Sequence, residues 1–236
     1  MALSVHITFS EVFMRYFNNF DAFMKLVLSM TGGFYNTLII FFFTLLFSLP
    51  LGLLIAFGRM SKNRIVSGIF RLYISLMRGT PLMLQLMVVY FGPFYLFGMN
   101  IGKWRFPAII TGFALNYGAY FAEIYRSGIV SMDRGQYEAA KLLGYSKGQT
   151  FVRIILPQVV KRILPAITNE VITLVKDTSL ANVIAVAELF RAAKNEASRT
   201  ASVEPLFVAG LFYLLMNGAV SLVFSCLNRR MAYYKD

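Results

Sequence analysis

The chain has 236 residues, of which 58% are hydrophobic and 14% charged, and its formal net charge is +12. Apolar side chains exceed what the core of one soluble domain of this length requires, which indicates a membrane protein. A single cysteine, Cys226, excludes a disulfide framework within the chain, and a single histidine, His6, leaves little material for metal-histidine or histidine-based acid–base chemistry.

Residues 1–31 are predicted to form an amphipathic segment at the external face of the membrane. Charged residues Arg15, Asp21 and Lys25 interrupt its aromatic residues, a mixture typical of segments that lie in the bilayer interface. The segment lacks a basic start followed by a short apolar run, so no cleaved signal peptide is predicted.

Five later segments are predicted to cross the bilayer, whose hydrocarbon core needs about 20 mostly apolar residues per helix. They are residues 32–58, 80–97, 107–125, 163–187 and 205–227. The first carries no charged residue, and Pro50 within it predicts a kink. The fourth contains Glu170, Lys176 and Asp177, which a membrane helix tolerates where they face protein or water. The predicted fold is therefore an all-α integral membrane protein with five transmembrane helices.

The basic residues orient these five spans. Most of the 23 Lys and Arg residues follow the first span, lie between the third and fourth spans, or lie at the C-terminus, which all fall on one side of a five-span chain. Because basic loops stay in the cytoplasm, we expect a cytoplasmic C-terminus and an external N-terminus. The positive charge is thereby explained by orientation, and no nucleic-acid partner is predicted.

The predicted cytoplasmic loop, residues 128–158, contains the run Gly135-Gln-Tyr-Glu-Ala-Ala-Lys-Leu-Leu-Gly144. Its residues 136–143 favour a short helix because small and apolar residues recur at i, i+3 and i+4, and Gly144 is a natural terminator. Judged by composition alone, the same segment also fits an ordinary amphipathic connector at the membrane surface.

This loop resembles the EAA loop of the permease subunits of bacterial ABC importers, which docks on the ATPase subunit. Further segments resemble the branch that imports polar amino acids, of the histidine, glutamine and arginine permease type. These segments are Arg78-Gly-Thr-Pro-Leu-Met-Leu-Gln85, Gly118-Ala-Tyr-Phe-Ala-Glu-Ile124, Ile155-Leu-Pro-Gln158 and Lys176-Asp-Thr-Ser-Leu180. The resemblance covers residues 32–230, the predicted transmembrane domain, and leaves residues 1–31 outside.

The resemblance implies a type I ABC importer permease fold in the bacterial inner membrane. It also implies the partners: a second permease subunit (a copy or a paralogue), two ATPase subunits, an extracytoplasmic solute-binding protein and an amino acid. ATP and Mg would be held by the ATPase, since the sequence has no Gly-x-x-x-x-Gly-Lys-Ser/Thr loop; no catalytic residue, metal or cofactor is expected in this chain. By the resemblance, Glu138 makes the polar contact to the ATPase, Ala139 and Ala140 permit close backbone approach, and Gly144 forms the turn.

Glu123 and Asp177 are the intramembrane carboxylates singled out for substrate binding. Asn116, Tyr120 and Glu123 fall at i, i+4 and i+7, hence on one helical face. The full candidate site for the amino acid is Gln85, Asn116, Tyr120, Glu123, Asp177, Thr178 and Ser179. The acidic excess of the spans favours a cationic amino acid by Coulomb attraction. The structural alternative, in which Arg126 or Lys176 pairs these acids to hold the bundle together, stays open.

Two other functions are compatible with a polytopic membrane chain. An ion-coupled secondary amino acid transporter would use the carboxylates as coupling sites, but such carriers often contain repeated halves and no repeat is evident here. A membrane-embedded enzyme would need clustered nucleophiles, bases or metal ligands, and the polar residues of this chain are scattered singly.

Overall fold

In a computed structural model the chain is a bundle of helices. The structure describes residue 16, residues 19–100 and residues 102–231, and no strand occurs among them. The expectations for His6 and Arg15 lie outside the described residues.

Among the described residues nine α-helices follow one another, with one π-helical turn and one 3₁₀ helix between them. They are α1 (Phe20–Arg59), α2 (Arg64–Gly79), α3 (Leu82–Phe97), α4 (Arg105–Val130), α5 (Arg134–Leu142), α6 (Lys147–Thr150), the π turn Phe151–Ile155, α7 (Leu156–Asp177), the 3₁₀ helix Thr178–Ile184, α8 (Leu189–Thr200) and α9 (Glu204–Met231). Helices therefore lie over all five predicted spans.

Helix α1 has 40 residues and passes through the position where the first span was expected to begin. It starts at Phe20 because the Asn19 side chain accepts a hydrogen bond from the backbone N–H of Ala22, a standard N-cap. Pro50 lies inside it without ending it. Residues 20–31 of the predicted interfacial segment and the first predicted span thus belong to one continuous helix.

The second predicted span is preceded by a sharp break. Helices α2 and α3 meet at an angle of 110° around Thr80 and Pro81. Pro81 lacks a backbone N–H and restricts Thr80 to extended geometry, and Thr80 has φ −121° and ψ 150°. The Gly-Thr-Pro run thereby turns one apolar stretch into two helices of different direction.

The fourth predicted span also changes character along its length. Helix α7 ends at Asp177, and the chain continues as the 3₁₀ helix Thr178–Ile184 until Ala185 adopts the left-handed conformation (φ 61°). The last turns of this span therefore differ in geometry from the rest, which places Asp177 at a junction between two helices.

Close packing of α1 on α4 forms the centre of the bundle. Gly52 and Gly118 permit it: a Cβ added at Gly52 would lie 2.8 Å from the Phe121 Cβ, and one at Gly118 would lie 3.1 Å from a Leu51 methyl carbon. Small residues at such crossings let membrane helices approach closely enough for dispersion contacts to hold them together. Phe113, like Phe121, is fully buried in the core beside them.

Two of the described helices, α1 and α9, are each long and apolar enough to cross a membrane, and the bent α2–α3 pair adds a third candidate if it counts as one broken span. Helices α4 and α7 lie over the remaining predicted spans and carry charged side chains, including Glu123, Glu170 and Asp177. We interpret their polarity through the packing described next.

Candidate substrate pathway and coupling site

Gln85 and Asn116, two members of the predicted substrate site, are hydrogen-bonded to each other. The Asn116 side-chain amide donates to Gln85 Oε1 at 2.9 Å and to the backbone carbonyl of Met77 at 3.0 Å. Gln85 in turn donates to the Met77 carbonyl at 2.9 Å and to Thr80 Oγ1 at 2.8 Å. Because Asn116 is only 3% exposed, this pair satisfies the carbonyl groups freed by the α2–α3 break.

Asp177 faces helix α4 rather than its neighbour in sequence. Its Oδ2 accepts a hydrogen bond of 2.7 Å from the hydroxyl of Tyr117, and no ion pair with Lys176 forms. Glu170, seven residues earlier on α7, lies on the same helical face and within Coulombic range of Asp177. Two carboxylates and a phenol therefore share one side of the α4–α7 contact.

Thr178 and Ser179 continue this segment, but their hydroxyl groups are used locally. Thr178 Oγ1 donates to the Val175 carbonyl and Ser179 Oγ to the Lys176 carbonyl, both at 2.7 Å. Thr178 is fully buried, whereas Ser179 is partly exposed. Of the predicted Asp177-Thr178-Ser179 stretch, Asp177 and Ser179 thus retain partial access to solvent.

Glu123 is paired with Arg126, one of the two cations named in the structural alternative, and both residues lie on α4. Glu123 Oε1 accepts from Arg126 Nε at 2.9 Å, one turn further along α4. The predicted face of α4 also brings Tyr120 into a cation–π contact, with the Arg78 guanidinium carbon 5.1 Å from its ring centroid. Glu123 therefore lies beside arginines, and Tyr120 lies between Arg78 and Tyr117, whose ring centroid is 6.2 Å from that of Tyr120.

The predicted coupling helix, residues 136–143, is confirmed as α5, whose side-chain N-cap is Asp133. Gly144 has φ +79°, and its N–H donates to the Lys141 carbonyl at 3.1 Å while the Tyr145 N–H donates to the Ala140 carbonyl at 3.0 Å. These two bonds form a Schellman motif, which requires the left-handed residue that glycine supplies. The predicted turn at Gly144 is thereby confirmed.

The surface of α5 is open. Glu138 and Ala139 are exposed, and the following Leu142 and Leu143 are 90% and 75% exposed. A cavity of about 680 Å³ lies between α5 and α6. Ala140 is 1% exposed and packs inside the chain, whereas Ala139 faces outward. Exposed leucines next to a polar rim are typical of protein docking surfaces.

Three further residues, Tyr117, Glu170 and Arg78, lie beside the predicted site residues, although the sequence analysis did not include them in the site. Tyr117 does not share the predicted helical face of Asn116, Tyr120 and Glu123. It directly precedes Gly118, the first residue of one of the family-like segments. Glu170 could have been found from its seven-residue spacing to Asp177. Arg78 was assigned to the cytoplasmic charge, and its stacking on Tyr120 follows from the bend between α2 and α3, which no local pattern specifies.

Near the N-terminal end of α1, two buried carboxylates accept hydrogen bonds from other groups of the chain. Glu188 and Glu204 are both fully buried. Glu188 caps α8 by accepting from the backbone N–H groups of Phe190 (2.6 Å) and Arg191 (2.7 Å), and it accepts from the Tyr213 hydroxyl at 3.1 Å. These three donors replace the water that a buried carboxylate loses.

Glu204 holds the residue before α1 in the same way. Its two carboxylate oxygens accept from the backbone N–H of Tyr16 at 3.1 and 3.2 Å, and the Tyr16 hydroxyl donates to Glu196 at 3.0 Å. The Arg199 guanidinium, also bonded to Glu196, holds the pKa of that carboxyl below its ordinary value. These hydrogen bonds connect Tyr16 to α8 and to the start of α9.

Known proteins share both the sequence and this architecture. The L-cystine transport system permease protein of Bacillus subtilis is 38% identical over 87% of this chain and 87% of its own length. The nopaline transport system permease protein of Agrobacterium fabrum is 40% identical over 79% and 80%. A crystal structure of an amino acid ABC transporter with histidines matches with a TM-score of 0.81 and 36% identity, covering 90% of this chain and 98% of that chain.

More distant structures share the fold alone. An inward-facing methionine ABC transporter has 17% identity and a TM-score of 0.68 over 88% of this chain and 98% of that chain. The family described as binding-protein-dependent transport system inner membrane component matches residues 48–233, which include α3, α4, the coupling helix α5 and the Asp177 junction. The chain belongs to this family of inner membrane transport components.

Proposed function

We propose that the chain is the permease subunit of an ATP-driven importer of polar amino acids. The observation that carries the proposal is the open helix α5 with its Gly144 turn, in a chain that is 36–40% identical to amino acid transport proteins over most of their length. Two relatives are named as permeases for L-cystine and for nopaline. An amino acid is therefore the substrate class that we expect.

The coupling surface is proposed to be Glu138, Ala139 and the Gly144 turn. Glu138 is exposed on α5 and borders the 680 Å³ cavity, so an ATPase side chain can reach its carboxylate. ATP and Mg would be bound by that ATPase, in two copies. A second permease, either a copy or a paralogue, and an external solute-binding protein complete the assembly, as the transporter complexes among the structural relatives suggest.

The substrate's cationic group is proposed to bind beside Asp177 and Glu170. Both carboxylates are partly exposed and lie on one face of α7, and neither has an ion-pair partner among the described residues. Glu123 is neutralised by Arg126 and is better suited to holding α4. In the bilayer we place the N-terminus outside and the C-terminus in the cytoplasm, which puts α5 beside the ATPase.

Proteoliposomes containing the chain and its ATPase test the transport mechanism. An ATP-driven importer takes up amino acid when ATP and the binding protein are supplied, and an ion gradient alone drives no uptake. Uptake that follows the ion gradient without ATPase would support the alternative, an ion-coupled secondary amino acid transporter.

The substrate site is tested by comparing Asp177→Asn with Glu123→Gln at equal membrane levels. We expect Asp177→Asn to lower uptake at least tenfold, because it removes a carboxylate that forms no ion pair with any described residue. Glu123→Gln retains uptake and loses thermal stability instead, since Arg126 then lacks its partner. Full uptake by Asp177→Asn would rule out the proposed site.

A further inference from the structure

A cluster of arginines surrounds a cavity that the proposed transport function does not use. The cavity, about 350 Å³, lies between the end of α1, helix α2 and helix α4. It is lined by Arg59, Arg71, Ile74, Ser75, Arg78, Gly79 and Glu123. Three guanidinium groups thus face one carboxylate, and that carboxylate is already paired with Arg126.

None of the three lining arginines forms an ion pair within the described residues, although Glu123 lies within Coulombic range of Arg59 and Arg78, and Glu170 within that of Arg78. Arg59 donates to the Ser67 hydroxyl at 3.1 Å, and Arg78 lies over the Tyr120 ring. Arg71 is exposed, and no carboxylate lies within 4.0 Å of any of the three. The cavity is therefore suited to a ligand that carries negative charge.

Helix α2 presents an apolar stripe to the outside as well. Ile65, Ile69, Leu72 and Leu76 are spaced at i, i+4, i+7 and i+11, so they lie on one face, and they are 74%, 62%, 61% and 52% exposed. The core contacts of α2 are made by a different face, which includes Ile74. A helix with a second, exposed apolar face next to a row of arginines is typical of segments at the bilayer interface.

The angle between α2 and α3 places α2 in that interface. Helix α3 contains no charged residue, whereas α2 contains Arg64, Arg71 and Arg78 at seven-residue spacing. If α3 follows the membrane normal, a bend of 110° leaves α2 about 20° from the membrane plane. The apolar stripe then contacts acyl chains, and the arginines lie at the depth of the headgroups.

We propose that this cavity binds the phosphate of an anionic phospholipid whose acyl chains cover the stripe Ile65, Ile69, Leu72 and Leu76. Guanidinium groups bind phosphate oxygens in pairs of parallel hydrogen bonds, and Arg71 and Arg78 lie one above the other on α2. A volume that would hold about ten water molecules accommodates a phosphoglycerol headgroup. Such a lipid joins the end of α1, α2 and α4 beside the α2–α3 break.

Another anion, the carboxylate of the transported amino acid, would explain the arginines but not the exposed stripe. The lipid accounts for both features with one occupant. The lipid proposal requires that the chain lies in a membrane, but it does not depend on which solute is transported. The lipid proposal and the proposed transport function can therefore be disproved separately.

The test measures phosphatidylglycerol binding to the purified full-length chain in mixed micelles, with phosphatidylcholine, inorganic phosphate and free amino acids as competitors. We expect one saturable phosphatidylglycerol site that phosphatidylcholine does not fill. Arg71→Gln should weaken it at least tenfold without unfolding the chain, because Arg71 is exposed and makes no hydrogen bond among the described residues. Leu72→Ser should weaken it several-fold by removing acyl-chain contact.

Arg64→Gln is the matched control, since it removes the same charge from the same helix outside the cavity. An equal loss of binding in Arg64→Gln and Arg71→Gln would overturn the proposal in favour of a general basic surface. Inorganic phosphate that binds as tightly as the lipid, or amino acids that displace it, would overturn it in favour of a free anion or of the substrate. Unchanged binding in Leu72→Ser would remove the acyl-chain contact and with it the lipid assignment.

Discussion

The two ends of helix α1 differ in how the chain treats charge. At its first residues, the buried carboxylates of Glu188 and Glu204 receive every hydrogen bond from within the chain. Beyond its last residues, Arg71 and Arg78 on α2 and the exposed Glu138 on α5 form no ion pair within the described structure. We call the first end the α8 end and the second the α5 end. We infer that the α8 end stabilises the fold of the chain, whereas the α5 end binds lipid and other subunits.

The largest contrast is expected between Glu188→Leu and Glu138→Leu. Glu188→Leu leaves two backbone N–H groups and the Tyr213 hydroxyl without their acceptor in a buried site. It should lower the free energy of unfolding by about 3 kcal/mol, measured by denaturation in detergent. Glu138→Leu, at an exposed position, should change it by less than about 0.5 kcal/mol. Equal stabilities would contradict the contrast between the two ends.

Adjacent glycines at the α8 end sharpen this comparison. A Cβ at Gly33 would lie 2.9 Å from the Glu188 carbonyl oxygen, whereas one at Gly32 meets nothing within 4 Å. Gly33→Ala should therefore cost about 2 kcal/mol of unfolding free energy by separating α1 from α8. Gly32→Ala should raise stability by up to about 1 kcal/mol, because alanine is the better helix former. The two thermal unfolding midpoints should accordingly move in opposite directions.

At the α5 end a matched pair of glycines tests the coupling turn. Gly144→Ala puts a side chain at φ +79° and should cost about 1 kcal/mol, which loosens the Schellman turn and weakens ATPase retention. Gly148→Ala, in α6 with open space around it, should leave ATPase retention unchanged. Comparable retention of the ATPase by both variants in pull-down experiments would argue against a role for the turn.

The smallest expected effect concerns pH at the α8 end. Bonding to Arg199 lowers the pKa of Glu196 below the ordinary 4.5, so this carboxylate stabilises the fold above that pH and loses its contribution as the pH falls through the lowered value. The effect is small because the Arg199 side chain is 70% exposed. Between pH 6 and pH 3.5, the thermal unfolding midpoint of the wild type should fall slightly more than that of Glu196→Gln.

The sequence predicted what depends on local composition. Helices over all five spans, the short coupling helix and the Gly144 turn follow from hydropathy, periodicity and the need of a Schellman motif for a left-handed residue. Gln85 and Asn116, both named for the candidate site, are hydrogen-bonded to each other. These features involve residues near one another in sequence or at matching heights in a bilayer.

What the sequence missed depends on helix rotation and on bends. Asp177 accepts a hydrogen bond from Tyr117 because the rotation of α4 about its axis directs Tyr117 toward α7. Ala140 is buried by the packing of α5 within the chain. The sequence analysis made no prediction for Glu188 and Glu204. Their role as hydrogen-bond acceptors is visible only from their burial against α1 and α9. Each of these contacts joins segments far apart in the chain, which periodicity does not relate.

The most direct test of the account is ATPase binding to the chain in nanodiscs, measured for the wild type, Glu138→Arg and Glu196→Arg. We predict tight binding to the wild type, loss of at least tenfold in affinity for Glu138→Arg, and unchanged affinity for Glu196→Arg at the opposite end. Wild-type affinity in Glu138→Arg, or equal losses in both variants, would contradict the assignment of the α5 end as the coupling surface.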